Sequence, residues 1–476
     1  MASYVLSELE RSDMPQFNPI VFDPQLLRRF GGNGPRYTSY PTADRFVEAF
    51  DSNVMRQWLG KRAVGGMSRP LSLYVHIPFC NTICFYCGCN KIITKNQSRA
   101  AKYLRYLAKE IALQAEYVGG SRNVSQLHLG GGTPTFLEPD ELRALMAALR
   151  AHFNFLPGGE YSIEIDPRKV SYEKVATLAE LGFNRMSLGV QDFDPQVQVA
   201  VNRIQNIDET RAVIEAAREN DVRSVSIDLI YGLPKQSEAS FDRTLDQVLM
   251  LAPDRVSLYS YAHLPEMFKP QRRILSEDLP TPEEKLQILQ LAIRRLTAAG
   301  YVYIGMDHFA RPDDDLAVAQ RQGRLHRNFQ GYSTQAECDL LAFGVSGIAT
   351  FGPIYAQNHK RIEDYYDALD QGRLPVMRGI ELSADDLLRR SIIQSLMCHF
   401  ELSIESIEIA HLINFSDYFA EEMAELRELE EAGLVTLDDD WITVKPEGRL
   451  LVRAVAMVFD RYLRADRERV RYSRVI

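Results

Sequence analysis

The run Leu71-Ser-Leu-Tyr-Val-His-Ile77-Pro-Phe-Cys80-Asn-Thr-Ile-Cys84-Phe-Tyr-Cys87-Gly-Cys89 joins an apolar, β-branched strand pattern to a loop with four cysteines. The chain of 476 residues has six cysteines, so two-thirds of its thiols lie in this one loop. Thiolates gathered in this way indicate disulfides, a zinc site or an iron–sulfur cluster. The loop therefore marks a site at the end of the first predicted strand.

Disulfides are the least favoured of these explanations. The N-terminus has no basic segment followed by an apolar run, so we expect no secretory signal and a reducing, cytoplasmic location. Structural zinc usually takes two separated pairs of ligands, whereas this loop has no second pair downstream. Cys338 and Cys398 are isolated and are predicted to be small core residues. An iron–sulfur cluster is the favoured prediction, and zinc or another thiol role is the alternative.

Strand patterns alternate with amphipathic helix patterns through the first two-thirds of the chain, which is typical of a parallel sheet with covering helices. The strands are predicted at 71–77, 124–129, 161–165, 185–188, 222–230 and 255–259. The helices are predicted at 101–118, 141–152, 172–181, 209–220 and 241–251. Six units are too few for a full eight-stranded barrel. The predicted fold is therefore α/β, an incomplete (β/α)6 TIM-like barrel with a parallel sheet.

Glycine-rich and polar motifs follow the predicted strands directly. The cysteine loop follows the first strand, and the remaining ends carry Gly130-Gly-Gly-Thr133, Glu164, Gln191, Asp228 and Ala262. Parallel sheets place their sites at the carboxyl ends of the strands. We therefore expect these motifs to line one cavity, with the glycine backbone and the carboxylates available for hydrogen bonds to a ligand.

The last hundred residues follow a different pattern. Helices are predicted at 385–400, 403–413 and 418–431, followed by a hairpin within 433–444, which resembles a winged-helix module. Its third helix and wing tip are acidic and would repel phosphates, so a cap over the catalytic domain is favoured over DNA binding. The predicted domains are an N-terminal arm at 1–60 that contributes to the substrate site, a partial barrel at 61–310, a segment at 311–380 that closes the site, and a mainly helical domain at 381–476.

The bulk composition limits the partners of the chain. A net charge of −9 argues against general nucleic-acid binding, although six arginines occur in the C-terminal tail from Arg461 to Arg474. No apolar run is long enough to span a bilayer, so no membrane association is expected.

The spacing Cys80-x3-Cys84-x2-Cys87 is similar to the signature of the radical S-adenosylmethionine (SAM) enzymes. A longer set of motifs resembles the oxygen-independent coproporphyrinogen III oxidases (dehydrogenases) from about residue 34 to the end. The motifs that carry this resemblance are Gly34-Pro-Arg-Tyr-Thr-Ser-Tyr40, Tyr74-Val-His-Ile-Pro-Phe-Cys80, Cys87-Gly-Cys89, Gly130-Gly-Gly-Thr-Pro, Gly189-Val-Gln-Asp-Phe, Val201-Asn-Arg203, Ile227-Asp-Leu-Ile-Tyr-Gly, Gly305-Met-Asp-His308 and Leu325-His-Arg327.

The resemblance implies a reaction. Enzymes of that family decarboxylate two propionate side chains of coproporphyrinogen III to vinyl groups, which gives protoporphyrinogen IX for haem synthesis. A 5′-deoxyadenosyl radical, formed by reductive cleavage of SAM, abstracts a hydrogen atom from the propionate β-carbon. Loss of CO2 and of one further electron then leaves the vinyl group.

The resemblance also implies the site residues. Cys80, Cys84 and Cys87 would hold one 4Fe–4S cluster, and Cys89 is not expected to be a ligand. Two SAM molecules would bind, the first contacted by Tyr74, Gly131 and Glu164. The second would be contacted by Tyr86, Gly132, Thr133, Gln191, Arg203, Asp228, Ala262 and Ile348.

The substrate has four carboxylates, so cationic groups are expected around it. Arg36, His326 and Arg327 are the candidates, with Arg168 in second place. The expected partners are coproporphyrinogen III and a flavodoxin- or ferredoxin-type electron donor, and the chain is expected to be a monomer. The alternative function is a haem-binding chaperone, because relatives with a similar cluster loop handle haem without decarboxylation.

Overall fold

Twelve strands form the main sheet of the computed structural model, which describes residues 19–63, 69–335 and 338–465. In chain order they are β1 Leu71–Ile77, β2 Asn123–Gly131, β3 Asn154–Ile165, β4 Arg185–Gln191, β5 Ser224–Tyr231, β6 Arg255–Ser260, β7 Val302–Gly305, β8 His308–Ala310, β9 Asp339–Phe343, β10 Ile348–Phe351, β11 Ile354–Asn358 and β12 Val376–Glu381.

The first six strands are parallel neighbours in chain order, which confirms the predicted β/α repeat. Their outward faces are apolar and pack under the covering helices. Their inward faces carry polar side chains such as Ser162, Ser226 and Ser257, which line the inside of the barrel. One helix follows each of the six strands: Ser98–Tyr117, Pro139–Arg150, Tyr172–Glu180, Ile207–Glu219, Glu238–Leu251 and Pro282–Ala298. Reciprocal hydrogen bonds between the first helical turn and the residue before it fix the start of several of these helices, as at Thr281 and Glu284.

The sheet is larger than predicted at both edges. The strand β9 pairs in parallel with β1, and the antiparallel strands β10, β11 and β12 continue the sheet beyond it. At the other edge β8 and β7 are antiparallel to β6. The strands β12 and β7 are the two edges of the sheet, and they do not pair with each other in the described part of the chain. The barrel is therefore incomplete, as predicted. Segment 311–380 thus supplies strands to the same sheet as segment 61–310.

A buried carboxyl group supports the sheet behind the cysteine loop. Glu110, on the helix after β1, is fully buried and accepts hydrogen bonds of 2.7 Å from Tyr365 Oη and from Asn358 Nδ2. On the same helix, Tyr103 Oη donates to the carbonyl oxygen of His76 at 2.8 Å. Burial raises the pKa of Glu110 to about 7. The helix is thereby fixed to the end of β1, where the cysteine loop begins.

The C-terminal domain confirms most of its predicted elements. Its helices are Ala384–His399, Ile404–His411, Phe415–Tyr418, Ala420–Glu431, Val452–Met457 and Arg461–Ala465, and the predicted hairpin joins Val435–Leu437 to Trp441–Val444. A third strand, Glu401–Ser403, pairs with the hairpin and was not predicted. The arginine-rich tail beyond residue 465 and the first 18 residues of the predicted N-terminal arm lie outside the described residues.

The N-terminal arm is held by the C-terminal domain. Arg453 Nε donates to the carbonyl oxygen of Pro35 at 2.9 Å, and Tyr37 Oη donates to Asp460 Oδ2 at 3.0 Å. The backbone N–H of Arg461 donates to Tyr40 Oη at 3.2 Å. These buried contacts, called here the arm clasp, fix residues 34–40 above the sheet. None of the described helices is long and apolar enough to cross a membrane.

Candidate active site

A cavity of about 450 Å³ lies at the carboxyl ends of β1 to β5. The predicted residues that line it are Cys80, Cys84, Tyr86, Cys87, Gly131, Gly132, Thr133, Glu164, Gln191, Arg203 and Asp228. The sheet brings them together because parallel strands end at one edge. Cys89 and Arg168 also line this cavity.

The cysteine loop is fixed close to the glycine loop after β2. Phe79 and Cys80 form a short parallel strand pair with Ile92 and Ile93, which closes the base of the loop. Thr133 Oγ1 donates to Cys80 Sγ at 3.5 Å. The Arg203 guanidinium donates to Cys84 Sγ at 3.7 Å. A hydroxyl and a cation are therefore directed at two of the three sulfurs.

The thiols of the loop differ in acidity. The hydrogen bond from Cys89 is the main cause that lowers the pKa of Cys87 to about 6, with a further contribution from the positive charge of Lys91. Burial raises the pKa of Cys80 to about 11. The Cys89 thiol therefore hydrogen-bonds the Cys87 sulfur, and Cys89 also lines the cavity.

The donor set suits a cluster better than one metal ion. Within the described ranges, no group of three or more histidine, cysteine, aspartate or glutamate side chains is close enough together to hold a single metal ion. A 4Fe–4S cluster is larger, because each cysteine binds a different iron atom. Three cysteines around one cavity, with a hydroxyl and a cation directed at two of the sulfurs, fit that group.

The glycine loop has no room for side chains. Gly131 has φ of +120°, and a Cβ there would lie 2.8 Å from the His76 ring. A Cβ on Gly132 would lie 2.8 Å from the carbonyl oxygen of Pro78. The Gly131 N–H donates to Glu164 Oε2 at 3.1 Å. The backbone of the loop is therefore exposed to the cavity beside a carboxylate, which suits an amino acid moiety or a ribose.

Two buried side-chain atoms in this cavity have no hydrogen-bond partner among the described residues. Gln191, in the left-handed region at φ of 72°, has a buried Oε1 atom with no hydrogen-bond partner among the described residues. The same holds for Nε of Arg203, although its guanidinium also lies 3.3 Å from Asp166 Oδ1. Asp228 accepts from Ser187 Oγ at 3.0 Å, and burial, with the Glu164 charge, raises its pKa to about 6. Buried polar atoms without partners indicate that a polar ligand completes the site.

Three of the predicted SAM contacts lie outside the cavity lining. Tyr74 stacks on the His128 ring at 5.9 Å, and His128 Nε2 lies 3.5 Å from Glu164 Oε1. Ile348 belongs to an apolar cluster around Phe46. Ala262 follows β6 and does not line the cavity either. Their contacts with SAM stay predictions.

Two of the substrate candidates lie together beside the cavity. Arg36 forms an ion pair with Asp307, and its guanidinium lies 5.8 Å from the ring centre of Tyr259. Tyr259 also lines the cavity. Arg327 Nε donates to the carbonyl oxygen of Arg36 at 3.4 Å, and its Nη1 has no hydrogen-bond partner within the described ranges. The arm clasp therefore places the half-buried Arg36 next to the buried Arg327, beside the cavity.

Two further residues join this cationic group and were not predicted as site residues. Burial and the charges of Arg36 and Arg327 lower the pKa of Arg453 to about 9. Burial and the charge of Arg327 lower the pKa of His308 well below its ordinary value. The sequence around Arg453 does not identify it as a site residue, because it lies in an apolar helical segment. His308 could have been identified, because it is the last residue of one of the motifs that carry the family resemblance. We call Arg36, Arg327 and Arg453 the arginine group.

The two remaining substrate candidates lie elsewhere. His326 precedes Arg327 in a short strand, so the two side chains point to opposite faces. Burial, with the charge of Arg390, lowers the pKa of His326 to about 4, which leaves it neutral at pH 7. Arg168 binds Asp166 through two hydrogen bonds of 2.6 and 2.8 Å. Neither residue joins the arginine group.

Comparisons with known proteins agree with this geometry. A family model described as the Radical SAM superfamily matches residues 74–248, and one described as the HemN C-terminal domain matches residues 382–451. The chain is 53% identical to the oxygen-independent coproporphyrinogen III oxidase of Pseudomonas aeruginosa, with 96% of this chain and 99% of the relative covered. It is 50% identical to the Escherichia coli protein of that name, with 96% and 99% covered.

A solved structure supports the same assignment. It is that of the coproporphyrinogen III oxidase HemN from Escherichia coli, described as a radical SAM enzyme. The two structures match with a TM-score of 0.88 and 48% identity, over 94% of this chain and 100% of that one. The radical SAM family implies a 4Fe–4S cluster and SAM as cofactors. The chain is therefore an oxidoreductase that belongs to the oxygen-independent coproporphyrinogen III oxidases of the radical SAM superfamily.

Proposed function

We propose that this chain oxidatively decarboxylates two propionate side chains of coproporphyrinogen III to vinyl groups, yielding protoporphyrinogen IX. The observation that carries the proposal is the position of the arginine group beside the cavity that holds the three cysteines. Tyr259 lines that cavity and contacts the Arg36 guanidinium, so a ligand carboxylate bound to Arg36 would lie close to the cavity. The names of the full-length relatives support this reaction.

The three cysteines Cys80, Cys84 and Cys87 would hold one 4Fe–4S cluster with an open iron. Two SAM molecules would share the cavity. Glu164 and the Gly131 backbone suit the first, while Gln191 and Arg203 have buried polar atoms available for the second. When bound, the cluster and SAM supply a carbon-centred radical that removes a hydrogen atom from substrate. The residues of the chain orient both ligands and exclude water.

The arginine group would bind the substrate carboxylates. Guanidinium groups bind carboxylates through paired hydrogen bonds, and Arg327 Nη1 has no hydrogen-bond partner among the described residues. Arg36 and Arg327 are the proposed contacts, and Arg453 holds the segment that presents Arg36. His326 stays a weaker proposal, because its neutral ring has no charge to offer.

The test is anaerobic reconstitution with iron and sulfide, followed by an assay with coproporphyrinogen III, SAM and dithionite. We expect deoxyadenosine, CO2 and the divinyl product. The chaperone alternative is not favoured, and stable haem binding without turnover of coproporphyrinogen would restore it. A Cys84→Ser variant with full activity would refute the mechanism. The monomeric state, the cytoplasmic location and the proposed domain boundaries stay predictions.

A further inference from the structure

A run of basic residues follows the cysteine loop. Residues 81–109 include Lys91, Lys95, Arg99, Lys102, Arg105 and Lys109 and contain no aspartate or glutamate, although the whole chain has a net charge of −9. Lys91 points inward, because its Nζ donates to the carbonyl oxygen of Cys87 at 2.9 Å. Lys109 pairs with Asp370 at 2.7 Å. The four side chains between them, Lys95, Arg99, Lys102 and Arg105, are exposed and are called here the basic surface.

The basic surface adjoins an exposed apolar residue behind a cluster ligand. Ile93 is 40% exposed and is paired with Cys80 in the short parallel strand pair. The next residue, Thr94, donates its N–H to the carbonyl oxygen of Cys80 at 3.0 Å. An apolar residue next to exposed charges is the composition of a protein docking site, with a central apolar contact and a polar rim. Ile93 and Thr94 therefore contact the backbone of Cys80, and the basic surface begins at the next residue, Lys95.

The positive charges lie where they do not help the helix. Helix Ser98–Tyr117 begins beside Gln97 without a side-chain cap or an acidic residue in its first turn, and Arg99 occupies that turn. The N-terminus of a helix has a partial positive charge that favours acidic side chains. Within the described residues, Lys95, Arg99, Lys102 and Arg105 form no ion pair. Glu138, the acid beside Gln97, lies 3.4 Å from Lys174. Lys102 Nζ does lie 4.7 Å from the ring centre of Tyr366. Helix stability therefore does not explain Lys95, Arg99 and Arg105.

We propose that the basic surface is the docking site of an acidic one-electron carrier protein. The inference rests on the proposed function, which needs one electron for each SAM that is cleaved. The carrier is oxidised by one electron and the cluster next to Cys80 is reduced by one. Complementary charge guides such encounters and raises their association rate by about 10- to 1,000-fold at low ionic strength. The exposed Ile93, which is paired with Cys80, then provides the central apolar contact.

The test compares a protein donor with a small chemical donor in the reconstituted holoenzyme. The variant is Lys95→Glu with Arg99→Glu and Lys102→Glu, and the probe is photoreduced flavodoxin, an acidic carrier. We expect the rate constant for reduction by flavodoxin at low salt to fall at least about tenfold. Deoxyadenosine formation with dithionite, which needs no docking, should stay at the wild-type rate. The matched control is Arg294→Glu, an exposed arginine on helix Pro282–Ala298 on another part of the molecule.

A binding measurement that needs no turnover accompanies the kinetic one. Titration of oxidised flavodoxin into wild-type holoenzyme should give a dissociation constant that rises with salt, and the triple variant should bind at least about tenfold more weakly. Equal binding and equal reduction of wild type and triple variant would overturn the proposal, as would a wild type that flavodoxin neither binds nor reduces. Loss of the dithionite reaction in wild type would instead contradict the proposed function, and the binding titration would still decide the docking site.

Discussion

Replacement of Arg327 by glutamine should weaken substrate binding without weakening the fold. Arg327 is 3% exposed, lies 4.7 Å above the Tyr332 ring and has a buried Nη1 with no hydrogen-bond partner in the described residues. Burial lowers the pKa values of Arg36 and Arg453, and the charge of Arg327 lowers them further. A guanidinium in this setting stabilises a bound carboxylate more than it stabilises the protein.

The magnitude follows from the hydrogen bond that is lost. A hydrogen bond to a charged group contributes about 1.5–3 kcal/mol, which corresponds to about 10- to 150-fold in KM for coproporphyrinogen III. The free energy of unfolding should stay the same or rise, because the variant removes a buried positive charge close to Arg36 and Arg453. Steady-state kinetics with dithionite and thermal unfolding of the same preparation measure both quantities.

Arg389→Gln is the matched control with the opposite expectation. Arg389 Nη1 donates to the buried Glu422 at 2.8 Å, and Arg389 Nε donates to Asp385 at 2.9 Å. Its loss leaves Glu422 with Arg464 at 3.2 Å, so we expect about 1–3 kcal/mol less stability and an unchanged KM. If Arg327→Gln kept its KM and lost stability like Arg389→Gln, the assignment of Arg327 to the substrate would be wrong.

Three further variants test other parts of the molecule. Cys84→Ser should lose iron after reconstitution, measured by iron analysis, whereas Cys338→Ser, away from the loop, should retain it. Glu110 has a folded pKa of about 7 against an ordinary 4.5, so its contribution to stability is fully present below pH 4.5 and is lost as the pH rises through 7. In urea unfolding, the advantage of wild type over Glu110→Gln should therefore fall by about 3 kcal/mol from pH 4.5 to pH 8, and an advantage that does not change with pH would contradict this. Gly132→Ala should weaken SAM binding in equilibrium dialysis about tenfold or more, because the added Cβ pushes against the Pro78 carbonyl; Gly32→Ala, with open space around it, should not.

The partial barrel was predictable because each of its first six strands has a recognisable local sequence pattern. Each of the first six strands is a buried apolar run followed by a glycine-rich or polar motif, and sequential parallel strands usually become neighbours. The strand β9 has an apolar run as well, but its partner β1 lies far away in the chain, and no local pattern records that pairing. The strand Glu401–Ser403 was missed because it is short and directly precedes a helix.

The cavity was predictable because the strand ends can be located in the sequence. Of the arginine group, Arg36 and Arg327 were predicted and Arg453 was not. Strand ends converge by topology, so Cys80, Glu164 and Asp228 line the same cavity. The position of Arg453 against Pro35 depends on how a C-terminal helix packs on the N-terminal arm, and the sequence around Arg453 contains no such information. His326 and Arg327 are neighbours in sequence, and the alternation of side chains along a strand separated them.

The arm clasp can form only late in the synthesis of the enzyme, because it joins residues from both ends of the chain. Tyr37 and Asp460, which it joins, are 423 residues apart in the chain. At about 5–20 residues per second, the ribosome needs roughly 20–80 s to make the second partner after the first. The cysteine loop and the six parallel strands emerge early in that interval, so a growing chain contains the proposed cluster ligands well before Arg36 can be held by the clasp. We expect the proposed substrate site to be completed only after the C-terminal helices have been made.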